Sequence, residues 1–113
     1  MSEEIIEFTV SGSPRVISRA IEEYAAVHGS LHAIVVPWES DKVTLSMAVT
    51  SAKADGWAIE HTNLGTVKLT DIGNDSTRVA FAPAEPDHPE KKRLVALFDG
   101  FARQVQSRLQ TAP

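Results

Sequence analysis

A chain of 113 residues with no cysteine, 42% apolar and 23% charged, fits a single globular domain and excludes a disulfide framework, a thiolate metal centre and a cysteine nucleophile. Its net charge of −4 is uneven: residues 1–90 carry 6 basic and 14 acidic side chains, residues 91–113 carry 5 and 1. An acidic body excludes general nucleic-acid binding as the leading function, because phosphate neutralisation supplies most of that affinity; only the basic final segment keeps the idea alive.

The opening MSEEIIEF places glutamates where a secretory signal needs basic residues and an apolar run. No stretch approaches the roughly 18 consecutive apolar residues of a membrane span. The expectation is one cytoplasmic domain over residues 1–113. Of the apolar residues, 14 are alanines, so large core side chains are modest in number and a void inside the core would be hard to sustain.

In chain order, Glu4–Val10 ends in an alternation that sets Ile6, Phe8 and Val10 against Glu7 and Thr9, which predicts a strand with one buried face. Ser11-Gly12 turns the chain. Ser13 is a suitable N-cap and Pro14 a suitable first residue for a helix running to His28, with Gly29 as the residue beyond its end. Ile17, Ile21, Tyr24 and His28 share a stripe flanked by Val16, Ala20 and Val27. Arg15, Ser18, Arg19, Glu22 and Glu23 form the expected wet face.

From Leu31 the period changes to two. A strand at Leu31–Val36 leads into the turn Pro37–Asp41, and Val43, Leu45, Met47 and Val49 then alternate with Thr44, Ser46, Ala48 and Thr50. Ala54-Asp55-Gly56 signals a tight turn. Trp57–His61 reads as a short strand with Trp57, Ile59 and His61 on one side, followed by a turn at Thr62-Asn63. Thr66–Ile72 and Thr77–Ala82 read as a last hairpin around Gly73-Asn74-Asp75-Ser76. The spacing of Asp87 and Glu90 suits a capping box, with Pro89 in the first turn of a long closing helix. Leu94, Phe98, Phe101, Val105 and Leu109 make its apolar stripe, bordered by Leu97 and Ala102. Lys92, Arg93, Asp99, Arg103 and Ser107 point away, and Gly100 falls on the wet side, as a tolerated residue or a bend.

The implied order is β-α-β(4-5)-α. One sheet face is apolar; the other is small and polar, with Thr44, Ser46, Thr50, Thr66 and Lys68. An antiparallel sheet with one wet face needs helices on the other only, so both helices should lie on one face of an antiparallel sheet, an α+β domain of two layers.

Three stretches carry a resemblance. Phe8-Thr9-Val10-Ser11-Gly12-Ser13-Pro14 leads into a helix, GTVKLTDIGNDSTRVAFAP forms a late hairpin with a Thr-Arg-Val triplet after its loop, and an amphipathic helix closes the chain. Together, over nearly the whole length, they resemble the START-like (polyketide cyclase, Bet v 1-type) superfamily, whose last helix grips the sheet. The chain departs from that pattern in being shorter by one hairpin and in having an unbroken first helix. The latter is nearer to one repeat of the TATA-binding-protein fold. Fold kinship does not transfer function.

The resemblance implies a ligand site between the sheet and the last helix, lined by Met47, Trp57, Ile59, His61, Phe81, Leu94, Phe98 and Phe101. The plainer expectation for the same residues is a filled core, since a useful pocket needs roughly 300–1,000 Å³. Among the histidines, His28 and His32 are separated by Gly29 and fall on different elements, so no metal site is expected. His28 suits a helix end, His88 a cap region, and His61 either a ligand contact or a strand-end surface. Asp71 and Asp75 belong to turn chemistry. No phosphate loop, paired carboxylates or Ser/His/Asp arrangement is visible, and no cofactor is implied. Trp38 either anchors a partner or, as preferred, folds back on the sheet edge. The leading expectation is therefore a non-catalytic domain binding a hydrophobic small molecule. A ligand-free homodimeric interaction module is the rival, and a nucleic-acid contact through Lys91, Lys92, Arg93, Arg103 and Arg108 ranks last.

Overall fold

Ile6, Phe8 and Val10 alternate with Glu7, Thr9 and Ser11, and the backbone extends accordingly as β1 (Ile6–Ser11), with its apolar side chains turned inward. A computed structural model describes residues 6–29, 31–55, 58–84 and 90–111, giving the backbone alone at 53–55, 58–60 and 111. The elements that follow are α1 (Pro14–Val27), β2 (Leu31–Val35), a short 3₁₀ turn (Pro37–Glu39), β3 (Thr44–Asp55), β4 (Ala58–Gly73), β5 (Ser76–Pro83) and α2 (Lys91–Thr111). The strands form one antiparallel sheet in the order β1-β5-β4-β3-β2. This is the α+β layout anticipated from the periodicity, with a single core between the sheet and both helices.

Each boundary has a local cause. The Ser13 hydroxyl accepts the Val16 N–H at 3.4 Å, Pro14 takes the first turn, and His28 caps the other end of α1 before Gly29, whose φ of +74° reverses the chain. The buried face of α1 is Ile17, Ser18, Ile21 and Ala25, so the helix is rotated from the expected stripe. Val16 and Val27 are 61% and 82% exposed. Ser18, expected in solvent, is buried and donates to the Arg15 carbonyl at 2.7 Å, which satisfies its hydroxyl without a distant partner.

Asn74 and Asp75, both at φ +56°, are the two-residue loop between β4 and β5. Positive φ at both centres is the mirror-type turn whose twist matches the flanking strands. Asp71 Oδ1 accepts the Gly73 N–H at 2.9 Å beside it. Asp41 Oδ1 accepts the N–H groups of Val43 and Thr44 at 2.9 and 2.8 Å at the entry to β3. These bonds, to Val43 first and Thr44 second, hold its carboxyl below the usual carboxylate range.

The predicted turn at Thr62-Asn63 is absent. Residues 58–73 are one strand, and the two predicted strands around that turn are a single β4. Its pairing with β3 slips between Val49 and Thr50: Val49 faces Gly65, Thr50 faces Asn63, and Leu64 is the extra residue of a β-bulge.

Candidate functional site

On the helix-facing side of the sheet, the sequence-predicted lining comes together in part. Met47 on β3 and Phe81 on β5 meet Leu94, Phe98 and Phe101 of α2, all within one core cluster and at most 2% exposed. Phe81 is its centre: its ring lies 5.9 Å from Phe98, 6.2 Å from Phe101 and 6.2 Å from Phe8, centroid to centroid. Phe98 reaches the backbone of β4, where only hydrogen stands on Gly65; a Cβ there would lie 2.6 Å from Phe98 Cζ. At this contact the space between sheet and α2 is occupied by the protein's own rings.

Three predicted lining residues are not brought into that cluster. Trp57 lies outside the described residues. Ile59 belongs to β4, opposite Ala54 of β3, with its backbone alone described. His61 is on the opposite face and exposed. The bulge explains it. Counting by twos from buried Val67 and Gly65 would turn residue 61 inward. The extra residue Leu64 reverses the parity, so Thr62 pairs with inward-facing Ser51, while His61 pairs with outward-facing Ala52.

The outer face of the sheet is the second candidate surface; α1 and α2 pack on the other face, and the 3₁₀ turn covers this one at Ser46. The register defines its rows. Ile34, Ala48, Thr66 and Ala82 form an uncharged row across β2, β3, β4 and β5. The next row runs through Ser46, Lys68, Ala80 and Glu7, and the next through Thr44, Thr70, Arg78 and Thr9. Ile34 is 55% exposed on this face. Arg78 and Glu7 form a loose ion pair, 3.9 Å apart and more than half exposed, of little energetic weight. At the ribbon end of the same face, His32 and His61 have ring centroids 6.1 Å apart.

The 3₁₀ turn closes the other end. Ser40 Oγ accepts the Ser46 N–H at 3.0 Å and donates to the Val36 carbonyl at 2.9 Å, standing in for a ladder bond where β2 ends. Ser46 Oγ donates to the Glu39 carbonyl at 3.1 Å and is buried. Trp38, on this turn, is 81% exposed rather than folded onto the sheet edge, and Val43 beside it in the chain's return is 54% exposed.

The basic residues of α2 are largely engaged within the fold. Arg93 pairs with Glu90 at 3.0 Å, Arg103 with Asp99 at 3.0 Å, and the Arg108 guanidinium lies 5.4 Å from the centroid of the Tyr24 ring. His28, at the end of α1, hydrogen-bonds Gln104 at 2.8 Å and packs edge-on to Phe101, so it joins the two helices as the end-of-helix residue that its position suggested.

Sequence reasoning read this face as small and polar from Thr44, Ser46, Thr50, Thr66 and Lys68, but did not place His32 and Ile34 on it. The signal was present: in Leu31–Val35, period two sets His32 and Ile34 against Leu31, Ala33 and Val35. Among the described residues, no helix is long and apolar enough to cross a membrane. No protein-family model matches this chain, and no match is found among curated proteins.

Proposed function

We propose that the chain is an interaction module that works as a homodimer, joined through the face of its sheet that α1 and α2 leave open. The observation that supports this most directly is the uncharged row Ile34–Ala48–Thr66–Ala82, lying across four strands with an isoleucine more than half exposed at its end. Small side chains let a second flat surface approach closely, which favours another copy of the same face over a convex partner.

The area is adequate. At about 4.8 Å per strand and about 3.4 Å per residue, five strands over about eight residues present roughly 650 Å². Two copies face to face would bury roughly 1,300 Å², just above the lower bound of about 1,200 Å² for specific interfaces. Sedimentation equilibrium at micromolar concentrations tests the reading. The expected result is a dimer that Ala48→Lys and Ile34→Lys each weaken by about tenfold or more, because each puts a charge from both copies into the apposed faces. Circular dichroism should be unchanged. A wild-type monomer up to high micromolar concentration, or a dimer indifferent to both substitutions, overturns it.

A hydrophobic small molecule between the sheet and α2 is the second reading, favoured by the four clustered phenylalanines. Entry would require Phe98 to leave Gly65. The reading predicts that some apolar compound in a screening panel raises the melting temperature, and that Phe98→Ala shifts that affinity by more than the lost stability explains. A panel that leaves the melting temperature unmoved removes this reading.

A further inference from the structure

We infer that His32 and His61 together form a binding site for a divalent transition-metal ion of the zinc, nickel or copper type. This does not depend on the proposed dimer. His32 sits on β2 opposite Thr50, and His61 on β4 opposite Ala52, so the two histidines straddle β3 on the open face. Strands two apart are about 9.6 Å from one another, yet the rings are closer than their strands. Their centroids are 6.1 Å apart with a 59° angle between ring planes. The imidazoles therefore lean together, and the short side chains of Thr50 and Ala52 leave the room for it.

That separation suits chelation. With metal–nitrogen bonds of about 2.0–2.1 Å and a near-tetrahedral angle, two imidazoles sharing one ion have centroids roughly 5–6 Å apart. Both rings are solvent-accessible, so a change of rotamer can turn a nitrogen of each toward one ion. Imidazole nitrogen selects borderline ions of the late first transition row over magnesium or calcium, which prefer oxygen. Among the described residues, no group of three or more potential ligands gathers. Water, or the same pair from a second copy across the face, would complete the coordination.

The test is a calorimetric titration of untagged, metal-stripped protein with zinc chloride, repeated with nickel. The expected result is saturable binding that His32→Ala and His61→Ala each weaken by about tenfold or more, since losing a ligand should cost at least as much as the changes of outer-shell partners that bring that loss. His28→Ala should leave it unchanged. Saturation at one ion per chain or one per two chains supports the site equally. Absence of saturable heat, or binding that survives both substitutions, overturns it. Sedimentation with and without chelator, on the same samples, separates this result from the fate of the dimer.

Discussion

Phe81→Ala is expected to cost about 3–5 kcal/mol, at the upper end for truncating a single buried side chain. Phe81 is fully buried and is the ring on which Phe8, Phe98 and Phe101 converge, so it joins an edge strand, a neighbouring strand and α2 at one point. Truncation removes the apolar transfer free energy and leaves a cavity that three anchored rings can fill only in part. Whole domains are stable by about 5–15 kcal/mol, so the variant should lose a large share of its margin. Urea denaturation should show a lower midpoint at an unchanged slope, since the surface exposed on unfolding barely differs. A loss below about 1 kcal/mol would mean that the cluster is not packed in this way.

Gly65→Ala is expected to destabilise by about 1–3 kcal/mol, although it adds only one methyl group. The added Cβ would stand 2.5 Å from the Ala82 carbonyl oxygen, 2.6 Å from Phe98 Cζ and 2.9 Å from Phe98 Cε1. The carbonyl belongs to β5, which pairs with β4 from Gly65 to Gly73, and cannot retreat without distorting that ladder. Phe98 can be shortened instead. Gly65→Ala combined with Phe98→Leu should therefore be less damaging than the sum of the two single losses, a coupling that a double-mutant cycle measures directly. Strict additivity would show that the glycine is not answering the ring. Gly100 is the contrast: it is exposed, and a Cβ there meets nothing within 4 Å, so its place in α2 imposes no such demand.

Period was the property of the sequence that translated most faithfully. The two-residue alternation of Ile6, Phe8 and Val10, and of Leu45, Met47 and Val49, matched the inward faces of β1 and β3, while Val43 of the same series precedes β3 and is exposed. The stripe Leu94, Phe98, Phe101 and Val105 correctly identified the buried side of α2. These are local patterns repeated often enough to outweigh single exceptions. The failures come from single residues that change a count. Leu64 reads like any strand leucine, yet as the bulge residue it turns His61 to the other face and joins two predicted strands into one. Ser18 reads as polar and therefore wet, but a back-bond to Arg15 lets it face the core. Of the candidate lining, Met47, Phe81, Leu94, Phe98 and Phe101 were legible because they are apolar and in phase. The proximity of His32 and His61 was not, because it depends on a register between strands separated by the bulge.

The pairing of β1 with β5 has a bearing on the order of assembly. Ile6 lies beside Phe81, and Ser11 beside Ser76, so among the described strands the first is paired with the last. While the chain is being synthesised from its N-terminus, β1 must wait through α1 and three further strands for its partner, although β4 and β5 can already close their tight hairpin. Closing a loop of this length carries an entropic cost on the order of 4 kcal/mol, and little is recovered until Phe8 reaches Phe81. The sheet can therefore be completed only once β5 has been made, and α2, which follows β5 and packs on Phe81, shares the core that forms when β1 and β5 meet.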